Sequence, residues 1–112
     1  MSIEPNDSTT LAGVIQQAEI VQYQAGSVVS RTLVKKPGGT VTAFAFDQGE
    51  SLSEHTAPFD ALVFLIEGEA EISISIIAHH VRAGQMLFLP AGQPHALKAI
   101  TKFKMILVMI KA

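Results

Sequence analysis

The stretch 49-GESLSEHTAPFDALVFLIEG-68 decides the fold. It opens and closes on Gly and holds one His early, His55, ahead of Pro58, Asp60 and an apolar run. Gly at each end reads as a turn, and ALVFLIE between them reads as a strand. Successive side chains on a strand point to opposite faces. ALVFLIE is apolar on both faces, so both must be covered.

On either side, short β segments alternate with turn residues. They are EIVQYQ (19–24), SVVSRTLV (27–34), TVTAFAF (40–46), AEISISII (70–77), MLFLP (86–90), HALKAI (95–100) and FKMILVMI (103–110). The breaks are Ala25-Gly26, Lys36-Pro37-Gly38-Gly39, Asp47-Gln48-Gly49, Glu67-Gly68, Ala83-Gly84 and Pro90-Ala91-Gly92. Many short strands at regular spacing predict an all-β sandwich or barrel. In AEISISII the period of two puts Ile72, Ile74 and Ile76 on a buried face and Glu71, Ser73 and Ser75 on a wet one. In FKMILVMI it puts Phe103, Met105, Leu107 and Met109 on one face and Ile106, Val108 and Ile110 on the other. One face of such a strand fills a lumen. The other must meet more protein, and a homodimer is the simplest account.

A second stretch, 84-GQMLFLPAGQPHALKA-99, completes the pattern. Together the two resemble the paired motifs of the cupin family. The first motif is Gly, five residues, His-x-His, three or four residues, Glu, six residues, Gly. Gly49, His55 and Gly68 fall in register with it. The second is Gly, five residues, Pro-x-Gly, two residues, His, three residues, Asn. Gly84, Pro90, Gly92 and His95 match it. The resemblance covers residues 40–110. It implies a double-stranded β-helix, a jelly-roll-like barrel, with an N-terminal segment at 1–18 and one barrel domain at 19–112. Residues 1–10 are polar and read as loose. Residues 11–18 have room for one or two helical turns capped by Ser8, Thr9 or Thr10.

Cupin enzymes resemble one another in holding a metal with three His and one Glu. Carried over, His55 fits the first His and His95 the last. The second His position is Ala57, the Glu position Ala61 and the Asn position Ala99. A two-His site leaves a divalent transition metal held mostly by water, and therefore weakly. Met105 adds a thioether only if it faces the lumen, and that donor suits Cu(I) better than iron or zinc. The expected pocket is His55, His95, Ala57, Ala61 and Met105, taking a small organic molecule. Two enzyme readings stand beside it. One is a metal-dependent oxygenase or isomerase using His55 and His95. The other resembles the metal-free epimerases of the fold, with His55 as base beside Asp60. On a regular strand Asp60 points away from where Ala61 points, so that pair needs a bulge near Pro58.

Other candidates have plainer readings. His79 and His80 read as exposed residues near a hairpin turn at Ile77-Ala78. Arg31 reads as an outward contact, with a carboxylate clamp in the lumen as the alternative. Lys98 reads as solvated. Phe44, Phe46, Phe64 and Phe88 read as core.

Composition bounds the rest. The chain has 112 residues, enough for one core. Charged residues make up 16% of the chain and hydrophobic residues 48%. Typical soluble domains carry about 25% charged residues, so some apolar surface is expected to be covered by a partner. A net charge of −2 with no basic block speaks against nucleic acid as a partner. The absence of Cys removes disulfides and thiolate chemistry. No apolar run, Met105 to Ile110 included, approaches the roughly 20 residues of a membrane helix. With no leader-like pattern at the N-terminus, the expected setting is the cytoplasm.

Overall fold

A computed structural model describes residues 12–111. Among the described residues nine strands, all paired antiparallel, make two sheets. They are β1 (Val28–Lys36), β2 (Gly39–Phe46), β3 (Ser51–His55), β4 (Asp60–Glu67), β5 (Glu69–Ile74), β6 (Ile77–Arg82), β7 (Met86–Leu89), β8 (His95–Ala99) and β9 (Phe103–Ile110). One sheet runs β1-β2-β9-β4-β7 and the other β3-β8-β5-β6. Consecutive strands repeatedly cross from one sheet to the other, as a double-stranded β-helix requires. The fold expected from the sequence is the fold observed.

The core lies between the sheets. Ala61, Val63 and Leu65 of β4 and Phe103 and Met105 of β9 meet Ala70 and Ile72 of β5 and Leu97 and Ala99 of β8. Phe46 stacks on Phe103 with ring centroids 4.5 Å apart and planes 12° from parallel. Gly68 makes the β4–β5 turn at φ +81, and a Cβ there would lie 2.7 Å from the Phe103 Cβ and closer still to the Lys102 carbonyl oxygen. Only Gly fits both the dihedral and the space.

A second cluster covers the opposite face of the larger sheet. Ala43 and Ala45 of β2 and Leu33 of β1 pack under Ile20 and Val21, with Tyr23 and Ile106 alongside. Here the sequence reading needs correction. EIVQYQ is not a strand: a 3₁₀ turn at Gln17–Glu19 leads into an irregular segment. Ile20 and Val21 are neighbours and both buried, which the period of two forbids in a strand lying on a surface. Backbone anchors hold the segment instead. Arg31 Nη1 donates to the Ile20 carbonyl at 3.0 Å and Lys104 Nζ to the Ala18 carbonyl at 2.5 Å. Residues 12–16 carry no helix, and the proposed caps Ser8, Thr9 and Thr10, with residues 1–11, lie outside the described residues.

Two further elements differ. AEISISII splits into β5 and β6 at a turn on Ser75 and Ile76, two residues earlier than the expected Ile77-Ala78. Ser75 takes the positive φ of 54 that such a turn demands. Ile76 is therefore 98% exposed rather than part of the buried face. His79 and His80 lie within β6, and His80 Nε2 meets Glu69 Oε2 at 3.0 Å on the surface. Phe64 and Phe88 are not core. The period of two sends them to the outer face of β4 and β7, where both are exposed among the described residues.

Candidate functional site

His55 ends β3 and His95 begins β8, and the two are register partners. A break in the β3–β8 register falls between Leu52 and His55. Residues three apart on a regular strand face opposite ways. The break lets both Leu52 and His55 turn into the same cavity. The imidazole rings meet edge to face with centroids 4.2 Å apart.

The rings share a hydrogen-bonding arrangement. His55 Nδ1 lies 3.0 Å from the Ser53 carbonyl oxygen, and His95 Nδ1 lies 3.3 Å from the Gln93 carbonyl oxygen. A carbonyl oxygen only accepts, so each Nδ1 is the protonated nitrogen and donates. In the neutral ring that leaves each Nε2 with a free lone pair. Burial holds the His95 pKa below the ordinary histidine value. The Gln93 hydrogen bond opposes this, and the neighbouring His55 adds to it. The balance favours the neutral ring of His95.

The cavity around them is apolar. Phe44, Met105, Leu107 and Met109 come from the larger sheet, and Phe59 and Ala57 come from the loop before β4. Ala61, Val63, Leu89 and Leu97 complete the wall. Counted as the space the centre of a water molecule can reach, the cavity holds about 60 Å³. One water needs about 10–15 Å³ on that measure. The space thus suits a handful of waters or one small molecule of ring size.

His55, His95, Ala57, Ala61 and Met105, expected from the sequence, all line this one cavity. Asp60 does not. The β4 pairing is regular from Asp60 to Leu65, with no bulge at its start, so the side chain points away from the face that carries Ala61. Its Oδ1 accepts the Ala91 N–H at 2.9 Å. The pairing of His55 with Asp60 is therefore not formed. Arg31 and Lys98 also lie outside the cavity. Met109 and Phe59 line it too, outside the five expected residues. The signal for Met109 was present, since it shares the strand face of Met105.

A three-His, one-Glu metal centre does not fit these residues. Two of its four positions carry the methyl groups of Ala57 and Ala61. Among the described residues no three His, Asp or Glu side chains come together in a way that could hold an ion.

Comparison with known proteins agrees with this architecture. A family model described as a cupin domain matches residues 43–111. A conserved protein of unknown function from Streptococcus pyogenes is 35% identical, with a TM-score of 0.88, covering 100% of this chain and 96% of that one. A cupin superfamily protein from Desulfitobacterium hafniense is 26% identical, with a TM-score of 0.82, covering 85% of this chain and 87% of that one. A cupin 2 conserved barrel domain protein from Leptotrichia buccalis is 42% identical, with a TM-score of 0.81, covering 84% of this chain and 46% of that one. No curated protein matches.

Proposed function

The chain belongs to the cupin domain family, and from that premise we propose that it binds a small organic molecule at the mouth of its barrel, with His55 and His95 as the polar contacts. The cavity itself carries the proposal. Apolar walls with a few convergent polar groups are the ordinary make-up of a ligand site. Here the polar groups are two Nε2 lone pairs, which accept hydrogen bonds. The matching ligand is mostly apolar and brings a hydroxyl or acid proton, as a phenol, an alcohol or an undissociated carboxylic acid does. In this reading the working unit is a homodimer joined through the uncovered face of β9, β4 and β7.

The two enzyme readings have less behind them. The oxygenase or isomerase reading needs a divalent metal on two protein ligands. The epimerase-like reading needs Asp60, whose carboxylate is engaged with Ala91.

A panel of small phenols, alcohols and carboxylic acids tests the proposal, read by NMR of the His ring signals and by thermal unfolding. A ligand at about 100 times its Kd stabilises the folded state by about 2.7 kcal/mol. For a domain near this size that raises Tm by roughly 10 °C or more. Binding should move the His55 and His95 ring signals together. A panel in which no compound moves either ring would sink the proposal.

A further inference from the structure

One end of the barrel carries both the mouth of the cavity and an uneven set of charges. β3 ends there at His55, β4 begins at Asp60, β8 begins at His95 and β9 ends at Ile110. The pairings of His55 with His95 and of Asp60 with Ile110 set these strand ends side by side. Gly39 pairs with Ile110 and with Lys36, which brings the end of β1 to the same rim. The charged side chains of that rim are Lys35, Lys36 and Lys111 against Glu54 and Asp60. Asp60 accepts the Ala91 N–H and points away from the cavity face of β4. Among the described residues no carboxylate lines the cavity.

Lys111 is the cation that the structure ties to the cavity wall. Its backbone N–H donates to the Gly38 carbonyl at 2.9 Å, which fixes where the side chain starts. Its ammonium lies 5.5 Å from the centroid of the Phe59 ring, and Phe59 lines the cavity. None of the ion pairs among the described residues uses Lys111. An aromatic face holds an exposed cation only weakly. A carboxylate holds it through a charge-assisted hydrogen bond, which is stronger.

We propose that Lys111 sets the specificity of the cavity, and that the ligand is an anion with a ring-sized apolar body, a hydroxyl at one end and a carboxylate at the other. The inference rests on the small-molecule reading given above and adds the ligand's charge to it. The hydroxyl donates to an Nε2 of His55 or His95, on the smaller sheet. The carboxylate lies at the rim of the larger sheet and draws the Lys111 ammonium off the Phe59 ring, a move that the flexible four-carbon stem allows. The two polar contacts stand on facing sheets, so they hold the ligand across the mouth in one orientation. A neutral phenol makes only the first contact, and a cationic one is repelled at the second.

The test is calorimetric titration with three ring-matched probes: 4-hydroxybenzoate, the neutral 4-hydroxybenzamide and the cationic 4-hydroxybenzamidine. The acid should bind about tenfold more tightly than the amide, the low end of what a hydrogen bond to a charged group gives. The amidine should bind most weakly. Added salt should shrink the preference for the acid, because the rim is open to solvent. Lys111→Met keeps the apolar stem and should lose the preference while binding the amide as the parent does. Lys111→Arg should keep it. Lys98→Met removes the same charge outside the cavity and should change neither affinity. All three variants should keep the parent's circular dichroism spectrum. If the parent binds acid and amide equally, the inference is overturned and the small-molecule reading stands. If Lys111→Met weakens acid and amide alike, the inference is also overturned, since Lys111 would then only support the Phe59 wall. If none of the three probes binds, the inference falls, and the His ring signals with the wider panel of neutral phenols and alcohols decide whether the small-molecule reading falls with it.

Discussion

At the scale of single residues, the site turns on small geometric choices. Asp47 shows how such choices produce pH dependence. Its Oδ2 accepts the Gly26 N–H at 2.8 Å and its Oδ1 the Gln48 N–H at 2.9 Å, pinning two turns together. Those two hydrogen bonds, first Gly26 and then Gln48, hold its pKa below the ordinary value of 3.8, and the Lys102 charge adds to them. The folded state thus favours the ionised form. The stability this gives is present above the unfolded pKa and is lost as pH falls through the lower, folded one. Asp47→Asn cannot ionise, so the parent should be the more stable of the two near neutrality. That gap should close in acid. Urea unfolding of both chains across the acid range checks this, and a gap independent of pH would count against the account. His55, Ala57, Ala61 and His95 were legible in the sequence because motif spacing places them one by one. Met109 escaped for a different reason. The motifs end before β9, and only the strand period points to it.

At the scale of elements, legibility followed apolar periodicity. β2, β4 and β9 announce themselves as long apolar runs. β3 does not, because SLSEH has a single apolar residue and owes its strand form to pairing with β8. The N-terminal segment misled in the opposite direction. EIVQYQ has the composition of a strand, but tertiary contacts decided its shape. Lys104 is the main anchor of that segment. It is 5% exposed, and its ammonium reaches the Ala18 carbonyl, lies 3.4 Å from Glu67 Oε1 and sits over the Tyr23 ring. The Glu67 carboxylate is substantially exposed, so solvent screens much of that pair. The hydrogen bond to Ala18 matters more. Lys104→Met keeps the apolar stem and removes the donor, at an expected cost of about 1–3 kcal/mol. Hydrogen exchange should show the loss over residues 17–23 first. Unchanged protection there would mean that the packing of Ile20 and Val21 suffices alone.

At the scale of the whole molecule, the question is what covers the second half of the larger sheet. The N-terminal segment covers the β1–β2 half and reaches Ile106. Beyond it, Met86 is 55% exposed, Phe88 49% and Ile110 52%. Phe88 pairs with Leu62, Met86 with Phe64, and Leu62 with Val108, so these side chains form one apolar surface across three strands. None of the six carries a charge, and the carboxylate at the end of this face, Asp60 opposite Ile110, accepts the Ala91 N–H. Two-fold dimers, in which the same patch meets itself, are the commonest soluble assemblies. A second copy is therefore the proposed occupant, with Phe88 near the axis. Truncating a buried aromatic at the centre of an interface typically costs about 2 kcal/mol or more. Phe88→Glu adds two desolvated charges close to each other. Light scattering should give twice the 12.0 kDa chain mass for the parent. For Phe88→Glu it should give the single-chain mass at the same concentration, with an unchanged circular dichroism spectrum. A parent that stays at 12.0 kDa at high concentration would leave that face to a different partner.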